Sequence, residues 1–256
     1  HCRFGKSLLI STLEAYFQGK KELFQGLAIE NLEKDWIEYP VLHLDLNARK
    51  YDNEEALLQE LNKYLEKWEQ KYDSPYSALA PEERFYWIIQ KAFEKTGQRV
   101  VILVDEYDKP MLQAIGNEDL QDAYRNTLKA FYGVLKSLDG YIRFALLTGV
   151  TKFGKISVFS DLNNLNDISM DGRYVALCGI IQDELHSYFD KDIKQLAQKQ
   201  KISINETYHE LKERYDGYHF TEDSIGIYNP FSLLNTFDKM KFGNYWFVIF
   251  IDKNNN

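Results

Sequence analysis

Val100-Val101-Ile102-Leu103-Val104-Asp105-Glu106-Tyr107-Asp108 is the stretch on which the fold turns. Five apolar residues run without a polar break and end on two adjacent carboxylates. A run this short, bounded by Gly97 and Pro110, reads as a strand buried on both faces. Four of its five apolar residues are valine or isoleucine, which favours strand over helix. A central strand of a parallel sheet holds its site at its carboxyl end. Asp105 and Glu106 then leave the core to face solvent or a ligand. Asp105 suits a magnesium ion held through water, since Mg²⁺ keeps much of its hydration shell. Glu106 suits orientation or activation of an attacking water. The alternative is a solvated acidic turn after a core strand.

Working outward, the amino-terminal side offers Gly5-Lys6-Ser7, followed by Leu8, Leu9, Ile10, Leu13 and Phe17 at helical spacing, with Gly19 near the helix end. A glycine followed by Lys-Ser at a helix start is the second half of a phosphate-binding loop. Glycine lets the backbone approach a phosphate closely, and the helix amides and dipole face the anion. In that reading Lys6 reaches the terminal phosphates and Ser7 ligates magnesium. The other reading is an ordinary helix start, because the leading glycine of the full pattern would fall before residue 1. On the carboxyl-terminal side, Tyr141-Ile142-Arg143-Phe144-Ala145-Leu146-Leu147-Thr148-Gly149 reads as a further buried strand. Thr148 at its end could meet a terminal phosphate or the attacking water, or simply close a turn.

Between these stretches, Val41 to Leu46 forms another strand, in which His43 reads as a packed histidine. Glu54 to Tyr72, Glu82 to Lys95 and Asn117 to Leu138 read as amphipathic helices. After Gly149, Thr151, Lys152, Lys155 and Ser157 fall in a loop expected on the ligand side of the sheet. Asp161 to Asp167 is turn-rich, and Tyr174 to Ile181 reads as the last core strand. Beyond Gln182 the pattern changes. Helices are expected over Asp183 to Phe189 and Ile204 to Tyr215, a hairpin over Tyr218 to Phe220 and Ile225 to Tyr228, and a helix opening at Asn229-Pro230. Strands alternating with helices define an α/β fold with a mainly parallel sheet. The boundaries that follow are a core over 1–181 lacking its first strand, a small helical lid-like subdomain over 182–247, and a tail over 248–256. Both chain ends read as cuts through something longer.

Composition limits the function classes. Net charge is −8, from 31 basic and 39 acidic residues, which argues against a generally basic nucleic-acid-binding surface. Cys2 and Cys178 alone give neither a metal pattern nor a disulfide framework, so a reduced cytoplasmic setting is the default. No apolar run approaches membrane-span length, and no signal peptide is visible.

The motifs together resemble the bacterial AAA-ATPase-like proteins, P-loop ATPase domains often fused to a C-terminal PD-(D/E)XK nuclease-like domain. The resemblance rests on Arg3-Phe4-Gly5-Lys6-Ser7-Leu8-Leu9, Val104-Asp105-Glu106-Tyr107-Asp108 and Leu147-Thr148-Gly149-Val150-Thr151-Lys152-Phe153. It continues through Phe159 to Leu165, Asp216 to Phe220 and Tyr228 to Ser232. It implies an ASCE-type P-loop fold with ATP and Mg²⁺ as cofactors. Gly5, Lys6 and Ser7 fall on the Walker A end, Asp105 and Glu106 on Walker B, and Thr148 on the end of the sensor strand. The implied site has Glu106, Lys6 and Thr148 as catalytic residues, Gly5, Lys6 and Ser7 for the nucleotide, and Ser7 and Asp105 for the metal. The function expected is Mg²⁺-dependent ATP hydrolysis, or nucleotide-switched regulation of a fused effector. The alternatives are a non-hydrolysing binding module or a component of a nuclease-linked system. A fused nuclease-like domain is an expected partner; a membrane, or direct nucleic-acid binding by this segment, is not.

Overall fold

The computed structural model describes residues 4–150, 158–159, 165–169, 171–174, 176–218 and 226–245. The loop expected at Thr151 to Ser157, the turn at 161–164, the tip of the expected hairpin at 219–225 and the tail from 246 onward lie outside the described residues. The chain divides into two compact units, one of Ser7–Asn166 and one of His1–Lys6 with Asp167–Asn256.

The first unit is built on a three-stranded, all-parallel sheet of order β1 (Val41–Asp45), β2 (Val100–Asp105), β3 (Ile142–Leu147). Val41 pairs with Val101 and Asp45 with Asp105 on one side of β2, and Val104 pairs with Leu147 on the other. All six residues of β2 are buried, as its unbroken apolar run requires. Parallel neighbours need long crossovers. Those crossovers are α3 (Glu54–Tyr72) and α4 (Pro81–Thr96) between β1 and β2, and α5 (Lys109–Gln113) and α6 (Glu118–Ser137) between β2 and β3.

Side chains alternate across the sheet, so its two faces take different partners. Leu42, Leu44, Val100, Ile102 and Val104 join Leu57, Leu61 and Leu65 of α3, Phe85 and Ile88 of α4, and Leu128 and Phe131 of α6 in one core. Phe85 and Phe131 stack there with ring centroids 4.4 Å apart. Val41, Val101 and Leu103 face the other way, onto Ile10 and Phe17 of α1 (Lys6–Phe17). β3 is only half-buried, where the sequence suggests a buried strand. It ends the strand order, so among the described residues it is flanked by a strand on one side only.

The second unit has its own core, formed by Leu185, Ile193, Leu196, Leu211, Tyr215, Leu233 and Phe237. Its helices are α7 (Gln182–Tyr188), α8 (Asp190–Gln200), α9 (Ile204–Tyr215) and α10 (Pro230–Lys239). β4 (Asp216–Tyr218) and β5 (Ile227–Tyr228) pair antiparallel. Asn229 caps α10 by accepting a hydrogen bond from the Ser232 amide, and Pro230 occupies the first turn. Among the described residues, the core strand expected over Tyr174 to Ile181 is not formed. Gly172–Tyr174 is a 3₁₀ turn, and the later residues contribute one isolated bridge, Ile180 to Tyr228. Within that stretch Gly179 adopts φ +98°, which takes the backbone out of the extended region there.

Candidate functional site

The alternation that sends Val101 and Leu103 onto α1 sends Asp105 the same way, to the carboxyl end of the α1 face. Asp105 is 3% exposed. The Ser7 hydroxyl, near the start of α1, donates to Asp105 Oδ2 at 2.5 Å. The Thr148 amide donates to the Val104 carbonyl at 2.8 Å, extending the β2–β3 ladder by one step. That step turns the Thr148 hydroxyl onto Asp105 Oδ1, also at 2.5 Å. Each oxygen of one buried carboxylate thus receives a hydroxyl, one from a helix start and one from a neighbouring strand end. Short O–H···O⁻ contacts of this kind are charge-assisted.

The backbone leaves the sheet immediately after Asp105. Glu106 adopts φ +55°, a left-handed conformation that costs a non-glycine residue roughly 1–3 kcal/mol. Its amide lies 3.4 Å from the Thr148 hydroxyl oxygen, and its carbonyl accepts from the Lys109 amide at 2.9 Å. The Tyr107 amide donates to the Thr148 carbonyl at 2.8 Å. Asp108, fully buried, accepts from the Val150 amide.

Ahead of Ser7, Gly5 adopts φ +90°, and no atom lies within 4 Å of the position a Cβ would take. A glycine there leaves an open approach along the backbone into the helix start. Lys6 is the first residue of α1. Gly5 and Lys6 group with the second unit and Ser7 with the first, so the division of the chain falls inside the Gly5-Lys6-Ser7 run. The structure therefore joins Ser7, Asp105, Thr148 and the Glu106 backbone directly, with Gly5 and Lys6 immediately preceding Ser7 in the chain.

Sequence reasoning leaves out three features near this site. Asp45 pairs in register with Asp105 and so ends the neighbouring strand on the same face. The position of a carboxylate at the last residue of both strands is visible in the sequence once the register is known. The second feature is Asp108. The third is an ion pair between Glu14 of α1 and His43 of β1, with Oε2 and Nδ1 2.8 Å apart. This hydrogen bond holds the Glu14 carboxyl below its ordinary range and raises the His43 imidazole. His43 Nε2 is buried with no hydrogen-bond partner among the described residues.

The donors at the Asp105 end of the sheet are hydroxyl and carboxylate oxygens, the hard ligands that magnesium prefers. Among the described residues no three His, Cys, Asp or Glu side chains are grouped to cage a metal alone. Magnesium needs no such cage, because it keeps waters and takes phosphate oxygens. The residues present therefore fit a nucleotide-bound Mg²⁺. A groove of about 460 Å³ lined by Gln182, Asp183, Tyr208, His209 and Lys212 lies in the second unit and includes none of these residues.

A parallel sheet flanked by helices, with a helix start and two strand ends meeting on one carboxylate, is consistent with a P-loop-like α/β fold. Within that class, the chain belongs to the AAA-ATPase-like family, whose model, described as "Predicted AAA-ATPase", matches residues 2–159. It is also similar to a protein of Azotobacter chroococcum mcd 1 described as "Uncharacterized protein in vnfD 5'region", with 37% identity over 246 residues. That alignment covers 96% of this chain and 45% of the relative, so the chain spans less than half the relative's length. No solved structure matches the chain. Family membership supports nucleotide binding in general terms. Among the described residues no helix is long and apolar enough to cross a membrane.

Proposed function

We propose that the chain is an ATP-binding module of the ASCE P-loop type that hydrolyses ATP with Mg²⁺. The observation that carries this reading is the pair of hydroxyls, from Ser7 and Thr148, on the two oxygens of Asp105. That pairing joins three stretches far apart in sequence at the carboxyl end of the sheet, where such folds place their ligands. ATP with its magnesium supplies the transferable phosphoryl group and most of the charge compensation it needs. Gly5 opens the backbone to the phosphates, and the Lys6 ammonium faces their terminal charge. Ser7, through its hydroxyl, and Asp105, through water, would hold the magnesium, which would offset phosphate charge there. Glu106 accepts the proton of the attacking water, and Thr148 orients that water or the terminal phosphate. The helical subdomain over 182–247 is the lid-like element of this reading, and its helices α7 to α10 support it.

A second reading is favoured by the length of the relative, more than half of which lies outside the match. In it, nucleotide binding sets the state of a fused effector, a nuclease-like domain being the resemblance-based candidate. Phosphate release measured beside ATP affinity separates the two. Lys6→Ala is expected to weaken ATP binding. Glu106→Gln keeps the side-chain shape but not the base, so it is expected to spare binding and cut turnover by about 10²- to 10⁴-fold. Equal turnover in wild type and Glu106→Gln at saturating ATP and Mg²⁺ overturns the hydrolase reading and leaves the switch.

A further inference from the structure

Asp108 has no part in the chemistry described so far, yet it is the most completely buried carboxylate near the site, at 0% exposure. Carboxylates are almost never placed so without a partner that demands them. Both of its oxygens lie 3.0 Å from the Val150 amide, which donates to them. Val150 stands two residues beyond Thr148, on the backbone that leaves β3. Gly149, between them, has no room for a side chain. A Cβ there would sit 2.5 Å from Tyr107 Cε1 and 2.9 Å from Asp108 Oδ1.

The segment Asp105 to Asp108 and the segment Thr148 to Val150 are therefore locked together at three successive points. Asp105 takes the Thr148 hydroxyl, the Tyr107 amide takes the Thr148 carbonyl, and Asp108 takes the Val150 amide. The close packing at Gly149 sets how near the two segments lie. Asp105 serves the metal in the reading above and the Tyr107 ring packs against Gly149, whereas Asp108 reaches the Val150 amide with both oxygens from a fully buried position.

We propose that Asp108 is a positioning residue for ATP hydrolysis: its grip on Val150 fixes the exit of β3 so that Thr148 stays on Asp105 and Glu106 keeps its left-handed turn. This rests on the hydrolase reading above. Without the grip, Gly149 and Val150 are free to swing, the Thr148 hydroxyl leaves Asp105, and the Glu106 carboxylate loses its aim. The residues that face the phosphates, Gly5 to Ser7, are not touched by the change. The signature is thus a fall in kcat with little change in KM, of the order of 10²-fold for a displacement near 1 Å.

The test compares wild type with Asp108→Ala, Asp108→Asn and Gly149→Ala in ATP turnover and in amide hydrogen exchange at Thr148 and Val150. Asp108→Ala is expected to lose about 10²-fold in kcat with KM nearly unchanged and to expose the Val150 amide. Asp108→Asn keeps one oxygen for that amide and is expected to recover most of the loss. Gly149→Ala pushes the same two segments apart from the other side, and is expected to reproduce the kcat loss with Asp108 intact. It also serves if Asp108→Ala does not fold. Wild-type kcat in a folded Asp108→Ala or Gly149→Ala, beside an inactive Glu106→Gln, overturns the proposal while leaving the hydrolase reading standing. If wild type itself has no turnover, the hydrolase reading fails, and the alignment is judged from exchange alone. Faster exchange at Thr148 and Val150 in the variants then upholds it, and unchanged exchange overturns it.

Discussion

Glu14 and His43 tie the helix that begins at Lys6 to the strand that ends beside Asp105, and both side chains are less than one-third exposed. Their pairing sets a pH window whose sign can be worked out. The Glu14 carboxyl is lowered from its ordinary 4.5, chiefly by its hydrogen bond to His43. Its contribution is complete above 4.5 and is lost as pH falls through the lowered value. The His43 imidazole is raised from 6.5, chiefly by Glu14, with Asp45 and Asp105 adding to the effect. Its contribution is complete below 6.5 and is lost as pH rises through the raised value. Thermal unfolding of wild type and Glu14→Gln should therefore differ most between about pH 4.5 and 6.5. The difference should shrink as pH rises through the raised His43 value, with a maximum under about 1 kcal/mol for a partly exposed pair. A constant difference across that range would mean that the pair carries no ionic component.

Helices α3 and α4 pack against each other through a charged pair that apolar periodicity does not announce. Arg84 Nε and Nη2 donate to the two Glu69 oxygens at 2.6 and 2.9 Å, and Nη1 donates to Asn62 Oδ1 at 2.6 Å. Arg84 is 5% exposed and Glu69 6%. Removing one partner strands the other charge, so Glu69→Ala is expected to cost about 3–5 kcal/mol in denaturant unfolding. The double variant Glu69→Leu with Arg84→Met should recover much of that loss, because no uncompensated charge remains. This contrast marks what the sequence could and could not disclose. α3, α4 and α6 are legible in it because their apolar residues recur at helical spacing. α8 hides behind eight polar residues, with only Ile193, Leu196 and Ala197 on its buried side. Short α2 (Ala28–Leu32) buries no residue and offers no period to read. At the site, Ser7, Asp105 and Thr148 are legible as residue types at strand and helix ends. The partners of Asp108, Asp45 and His43 are not, because each depends on which strand or helix lies beside which.

Each unit has its own buried core, one on the two faces of the parallel sheet and one among α7 to α10. Calorimetry should distinguish them. Leu128→Ala, in the first core, and Leu211→Ala, in the second, each empty a fully buried leucine site and should cost about 2–5 kcal/mol locally. The expectation is two unfolding transitions, each variant lowering a different one. A single transition lowered equally by both would make the two units one cooperative body.

The all-parallel order β1-β2-β3 also governs how this chain comes to be folded at all. No two of these strands can meet through a tight turn. Val41 must find Val101 about 60 residues away, and Val104 must find Leu147 about 40 residues away. The helical pair α3–α4, by contrast, joins neighbours in sequence. Closing loops of that length precedes any reward from the sheet, and β2, with its five bare apolar residues, is made before β3 exists to cover its second edge. During synthesis the same Val100 to Val104 run that later carries Asp105 into place is a sticky ribbon awaiting its second neighbour. Its protection depends on how soon the ribosome delivers β3.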